Sequence, residues 1–308
     1  MKHTSNKGAL FAWLIIIWQI ALTTTAIWLT LSAQWRIKIP GEILLALCIL
    51  QWFILEHDLG HNAFFKVPVL NAIFGHVSSL FSLIPFFPWK NIHHAHHVWT
   101  GWKDLDPTHP KKKIDELSRV KVFLINLCWK LWIPVFGISF SVLLFWNYQQ
   151  LNKLFPQKKR VAQHRFSILF IVIIFITMAC FFGNFILYCW LPAFVLYLMI
   201  ADPLLLSQHT HLDYSDSKGS PVRPIRYILQ PAYTRSVIYP KWISKCILYN
   251  FDKHGLHHQY PAIPLYELDT KTPPEENSIY WLKWLHIAKR MPASVLIFES
   301  YKETGINL

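Results

Sequence analysis

Residues 9–31 form an almost unbroken apolar run. About 20 such residues, rising 1.5 Å each, cross the hydrocarbon of a bilayer. The run is too long for the apolar core of a secretory leader, and no cleavage site follows it, so it reads as a retained helix. A chain that enters lipid must satisfy its backbone within itself, as a helix does. Further apolar runs lie at 43–55, 67–87, 122–145, 166–182 and 185–206. The second has 13 residues, so its helix is expected to continue through Glu56 to Asn62 and lift His57 and His61 out of the membrane. Arg36, Pro40 and Gly41 read as the turn before it. Gly183-Asn184 reads as the tip of a helical hairpin.

Hydrophobic residues make up 53% of the chain and charged residues 15%, against about 25% charged in an average soluble domain. The 30 Lys and Arg outnumber the 17 Asp and Glu, for a net charge of +13. These basic residues lie between apolar runs, where the positive-inside rule accounts for them, and no nucleic-acid partner is expected. Five cysteines without CxxC spacing point away from a thiolate zinc site and towards unbridged thiols.

Sixteen histidines set the topology. They cluster at 57–61, 93–97, 209–211 and 254–258. If the clusters share one site, every segment between them crosses the membrane an even number of times. The run at 67–87 holds Pro68, Gly75 and Pro85, and 122–145 holds Lys130, Pro134 and Gly137; both are then re-entrant or interfacial. The expected fold is all-α, a single domain of four transmembrane helices (9–31, 43–62, 166–182, 185–206) with interfacial or re-entrant helices. Segments 63–165 and 207–308 would form a histidine-rich cytosolic cap. The charges tie across the first helix, Lys2 and Lys7 against Arg36 and Lys38. Lys111–113 and residues 158–160 break the tie, so the histidine side and both termini are expected in the cytosol. These two basic groups read as solvated loops near anionic headgroups, or as a face for an acidic redox partner. Trp89, Trp99, Trp102 and Trp129 read as interface anchors or tunnel lining.

His57-Asp-Leu-Gly-His61 is an HxxxH pair, and positions i and i+4 share one helix face. His93-His94-Ala-His96-His97 and His254-Gly-Leu-His257-His258 each contain HxxHH, again on one face, with His94 pointing elsewhere. The three boxes offer eight imidazoles, and Gln208-His209-Thr-His211 offers a ninth from either His209 or His211. That exceeds one tetrahedral zinc and suits two metals. Imidazole binds Fe, Zn, Cu and Ni alike.

As a set, HxxxH, HxxHH and HxxHH on a four-helix membrane body resemble the membrane-bound fatty acid desaturase and hydroxylase superfamily. His57 to His61 is similar to the HDxGH form of acyl-lipid desaturases. Thr100 to Asp106-Pro107 is similar to the continuation after their second box, and Asn250-Phe-Asp-Lys-His254 through Pro261 to their closing motif. The resemblance implies a centre of two iron ions with O2 as co-substrate. Its implied ligands are His57, His61, His93, His96, His97, His254, His257 and His258, with His209 or His211. It implies a double bond introduced into an acyl chain of a membrane lipid. The rival within the superfamily is a hydroxylase or ketolase of an alkyl, acyl or carotenoid-type substrate; the flanking motifs favour the desaturase. A zinc-dependent membrane hydrolase or a metal transporter is the reading from other classes.

Metal-bound histidine usually donates its outer N–H to a neighbouring group. Glu56, Asp58, Asp104, Asp106, Asp202, Asp213 and Asp252 lie near the boxes, and Asp58 and Asp252 are the first choices. Asp106, before Pro107, reads first as a turn. Asp202, near the end of an apolar run, is expected to pair with a site histidine or arginine. There is no Gly-rich dinucleotide fingerprint and no HPGG motif, so electrons are expected from a separate ferredoxin or cytochrome b5. The expected location is the bacterial inner membrane or the endoplasmic reticulum.

Overall fold

The computed structural model describes residues 6–271 and 277–308; Lys2, used in the charge comparison above, lies outside them. The described chain is mostly helical. Its contacts divide it into two units, Met1–Asn91 with Phe140–Leu198, and Ile92–Ser139 with Met199–Leu308.

The first unit holds α1 (Asn6–Thr30), α2 (Trp35–Gly60) and α3 (Pro68–Ser82). α4 (Phe86–Trp99) begins here and ends in the second unit. α2 starts at Trp35 and runs through Pro40, so the turn lies earlier than the sequence suggests. Only the first turns are affected by proline here, and they carry few hydrogen bonds to lose. Gly41 lets α1 approach: a Cβ there would lie 2.7 Å from the Leu29 Cβ. Polar groups bond between the two helices. Gln19 Nε2 donates to the Cys48 carbonyl at 3.0 Å, and Trp52 Nε1 to Thr23 Oγ1 at 3.0 Å. In an apolar surround such bonds have few competitors.

α3 and α4 meet at 100°, with Leu83 in the left-handed region (φ 56°) and Pro85 just after it. The run at 67–87 is thus broken. Ser79 and Ser82 of α3 donate to the Glu56 carboxylate of α2 at 3.1 and 2.5 Å, which ties the break to the end of α2. After α6 (Phe136–Leu144), which spans the other boundary, come α7 (Tyr148–Leu154) and α8 (Lys158–Phe185), then a π turn (Ile186–Trp190) and α9 (Leu191–His209). Lys158 to Arg160 form the first turn of α8 rather than a loop. Phe182 leaves helical geometry (φ −131°, ψ 32°), and the rings of Phe175 and Trp190 lie 5.2 Å apart. Fifteen residues of straight helix would separate them by about 22 Å, so the chain reverses here, within a residue of the expected Gly183-Asn184.

Among the described residues, three helical stretches are long and apolar enough to cross a membrane: Gly8–Thr30, Trp35–Gly60 and the 52-residue Lys158–His209. Their outer faces are apolar: Ile17, Trp18, Ile173 and Phe181 are all well exposed. In water such faces would be a large liability; in lipid they are the solvent-matched surface.

The second unit contains α5 (Arg119–Lys130), the end of α9, β1 (Ser236–Ile238), α10 (His254–Gln259), β2 (Ser278–Tyr280), α11 (Trp281–Arg290), α12 (Ala293–Phe298) and α13 (Tyr301–Thr304). β1 and β2 pair in parallel, Val237 opposite Ile279. A small core gathers Trp129, Trp284, Ala288 and Leu296, where Trp129 Nε1 donates to the Ala288 carbonyl at 2.9 Å. Trp129 is therefore a core residue of this unit. The Asp202 carboxylate accepts the Phe136 and Gly137 backbone N–H groups at 3.1 and 2.7 Å. This corrects the expected pairing with a histidine or arginine: the carboxylate lies on the unsatisfied amides at the start of α6. Lys111 to Lys113 are exposed and lie outside helix and strand; the Lys111 ammonium also donates to the carbonyls of Lys103, Asp104 and Asp106.

Candidate metal centre

In the first unit, α2 ends with the first box. His57 and Asp58 are buried, and the His57 and His61 rings lie 5.2 Å apart on one face. The Trp89 ring is 5.5 Å from His57. Gly60 makes room for that indole, because a Cβ there would meet Trp89 Cζ3 at 2.2 Å.

The second unit gathers the other boxes. α4 presents His93, His96 and His97 at i, i+3 and i+4, while His94 is exposed. α10 presents His254, His257 and His258, all buried. Tyr249 and Asn250 turn through the left-handed region just before it, and Gly255 N donates to Ser236 Oγ at 3.0 Å. α9 supplies His209 as its last residue.

Ring nitrogens of His93, His97 and His257 come within 4.8 Å of one another, as do those of His96, His209 and His258. The Nε2 atoms face each other directly. The His93–His97 and His97–His257 separations are both 3.0 Å, His254–His258 is 3.1 Å and His209–His254 is 2.6 Å. His211 is not among them. It sits in the left-handed region (φ 59°) with Nε2 on Thr304 Oγ1 at 2.8 Å, so the chain turns its ring towards the C-terminal residues.

Three imidazoles are oriented from behind. The buried Asp106 carboxylate accepts His96 Nδ1–H at 2.7 Å, and Thr108 N–H at 2.9 Å on its other oxygen. It is thus both the expected turn residue and a histidine partner. Burial pushes its carboxyl upward, but His96 beside it and the Thr108 bonds hold it below the ordinary value. Tyr214 donates its hydroxyl to the Tyr233 carbonyl at 2.9 Å, so its oxygen accepts His209 Nδ1–H at 3.3 Å. Gln230 Oε1 lies 3.0 Å from His258 Nδ1. The sequence gives no local sign of Tyr214 or Gln230. Asp252, a first choice from sequence, accepts instead from Ser244 Oγ at 2.7 Å.

These residues fit a metal. His96 Nε2 is buried with no hydrogen-bond partner among the described residues, while its proton is held at Nδ1 by Asp106. It therefore offers a lone pair. Ligands about 2.1 Å from one ion and at right angles stand about 3.0 Å apart, the spacing of three of the facing pairs. Burial and the neighbouring histidines depress the His258 pKa strongly, which keeps it neutral and able to donate a lone pair.

Comparison with known proteins places the chain in a family. The fatty acid desaturase family model matches residues 33–288. An sn-1 oleoyl-lipid 12-desaturase of Picosynechococcus is 26% identical over 273 residues, 83% of this chain and 74% of its own length. Another from Anabaena variabilis is 24% identical over 277 residues, 87% of this chain and 77% of its own. An acyl-lipid omega-3 desaturase (cytochrome b5) of the endoplasmic reticulum of Arabidopsis thaliana is 24% identical over 236 residues, 70% of this chain and 58% of its own. Helices that fit a membrane, clustered histidine boxes and a match over most of the length lead to one assignment: this chain belongs to the fatty acid desaturase family and is an oxidoreductase of fatty acid metabolism.

Proposed function

We propose that this protein introduces a double bond into an acyl chain of a membrane lipid, using O2 at a di-iron centre. The observation that carries the reading is the set of converging imidazoles on α4, α9 and α10, of which His96, His97, His254, His257 and His258 are buried. His93, His96, His97, His209, His254, His257 and His258 would hold the metals, joined by His57 and His61 from the first box. Bound irons supply O2 activation and the oxidising strength needed for an unactivated C–H bond. The overall change removes two hydrogens from adjacent methylenes and takes two electrons and two protons from outside, leaving an alkene and two waters.

The protein's own part is positioning and exclusion. Asp106 keeps the His96 proton at Nδ1 and its lone pair at Nε2. Burial of His96, His97, His257 and His258 keeps bulk water from the nitrogens. We read the chain as four spans, counting the reversal at Phe182 as the tip of a hairpin, with both termini cytosolic and the boxes on that side. The electron donor is a separate protein of ferredoxin or cytochrome b5 type; the name of the Arabidopsis relative carries the latter.

The test is expression in a host lacking polyunsaturated lipids, with gas chromatography of its acyl chains and Mössbauer spectroscopy of detergent-purified protein grown on labelled iron. A new double bond and two irons per chain support the reading. A new hydroxyl group redirects it to hydroxylation, and zinc with no activity after iron reconstitution overturns it.

A further inference from the structure

We infer that Gln230 is a positioning residue that couples the second and third histidine boxes through one side-chain amide; this rests on the di-iron reading above. Gln230 is fully buried. Its Nε2 donates to the His97 carbonyl at 2.7 Å and to the Ile225 carbonyl at 3.1 Å. Both partners are acceptors only, so both amide hydrogens are committed and the orientation of the amide is fixed. The opposite atom, Oε1, can only accept, and it faces His258 Nδ1 at 3.0 Å. His258 must then carry its proton on Nδ1. Its Nε2 is left as a lone pair pointing at His254 Nε2, 3.1 Å away.

One amide therefore does two things. It selects the tautomer of a histidine on α10, and it holds the backbone of α4 at His97. Two helices with 156 residues between them (His97 and His254) are bridged by this one side chain in a buried surround, where an unmet partner is costly. His96 and His209 have separate supports in Asp106 and Tyr214, so among the histidines loss of Gln230 acts on His258 and on the His97 carbonyl; it also frees the Ile225 carbonyl. Outer partners of metal-bound histidines typically change metal affinity 10- to 100-fold.

Two substitutions separate the two functions. Gln230→Met keeps the volume and loses all three side-chain bonds. Gln230→Glu keeps an acceptor for His258 Nδ1–H and loses the donor to His97. Each is purified intact in detergent beside the wild type, with iron per chain measured during dialysis against a chelator and Mössbauer spectra taken before dialysis. The expected result is that Gln230→Met releases iron at 10- to 100-fold lower chelator strength. Gln230→Glu should retain more iron, with a changed quadrupole splitting in one of two iron signals, because a carboxylate behind His258 makes that imidazole a stronger donor. Wild-type release and spectra in both variants overturn the role of Gln230 alone. A wild type that binds no iron overturns the di-iron reading and the Gln230 role with it. If Gln230→Met does not fold, the spectrum of Gln230→Glu decides by itself.

Discussion

Asp106, ten residues downstream of His96 in the chain, accepts a hydrogen bond from its Nδ1–H at 2.7 Å, with both side chains closed to solvent. The same carboxylate closes the turn at Thr108. Asp106→Asn preserves that turn but can present an N–H to the imidazole in place of an acceptor, which favours the wrong tautomer. We expect iron affinity to fall 10- to 100-fold with a thermal midpoint changed by only a few degrees. Chelator titration followed by calorimetry checks both.

His209 and His211 are two residues apart and face different surroundings. His209→Ala removes a nitrogen 2.6 Å from His254 Nε2, and should lower bound iron and abolish desaturation. His211→Ala removes the bond to Thr304 and should leave iron content unchanged, at a stability cost of about 1 kcal/mol. Elemental analysis of the two purified variants distinguishes them.

Asp252 gives a pH signature. Burial pushes its carboxyl up to about 6, and the Ser244 hydroxyl offsets only part of this. Because the folded value lies above the unfolded one of 3.8, ionising Asp252 destabilises the fold. The penalty is full above about pH 6 and vanishes below about pH 4. Asp252→Asn keeps an acceptor for Ser244, so it should stabilise the protein by up to about 3 kcal/mol at pH 8. Near pH 4 the gain should disappear. Thermal unfolding across that range reads the difference.

Gly60 is where α2 clears the Trp89 indole. Gly60→Ala puts a methyl where the ring lies and displaces an aromatic group that packs on His57. An overpacking cost of about 1–3 kcal/mol is expected, with reduced activity, whereas Gly183→Ala, which meets no neighbouring atom within 4 Å, should be neutral. Unfolding midpoints and product yields of the pair check this.

The apolar runs and the box spacings were legible in the sequence because both are local. A 3.6-residue period puts His93, His96 and His97 on one face whatever the tertiary contacts are, and 20 apolar residues span lipid wherever they occur. The supports behind the histidines were not legible. Gln230 reaches His97 across 133 positions, and no periodicity marks it. Asp202 misled because a charge near a membrane suggests a counter-ion, while the amides at a helix start serve as well. Pro40 misled because proline early in a helix costs little. The rings of His209 and His211 are parted by one left-handed residue, which the sequence around it does not announce.

The three-residue pairing of β1 with β2 has a consequence for biosynthesis. The whole third box lies between these strands, and Ser236 beneath Gly255 belongs to the first of them. At about 5–20 residues per second, a ribosome exposes His254 to His258 seconds before Tyr280 emerges. During that interval the nascent chain already carries every metal-binding nitrogen, while the strand that closes the loop has yet to be made. On the proposed di-iron reading, iron delivered in that interval would meet a third box whose flanking strand pair has not yet formed.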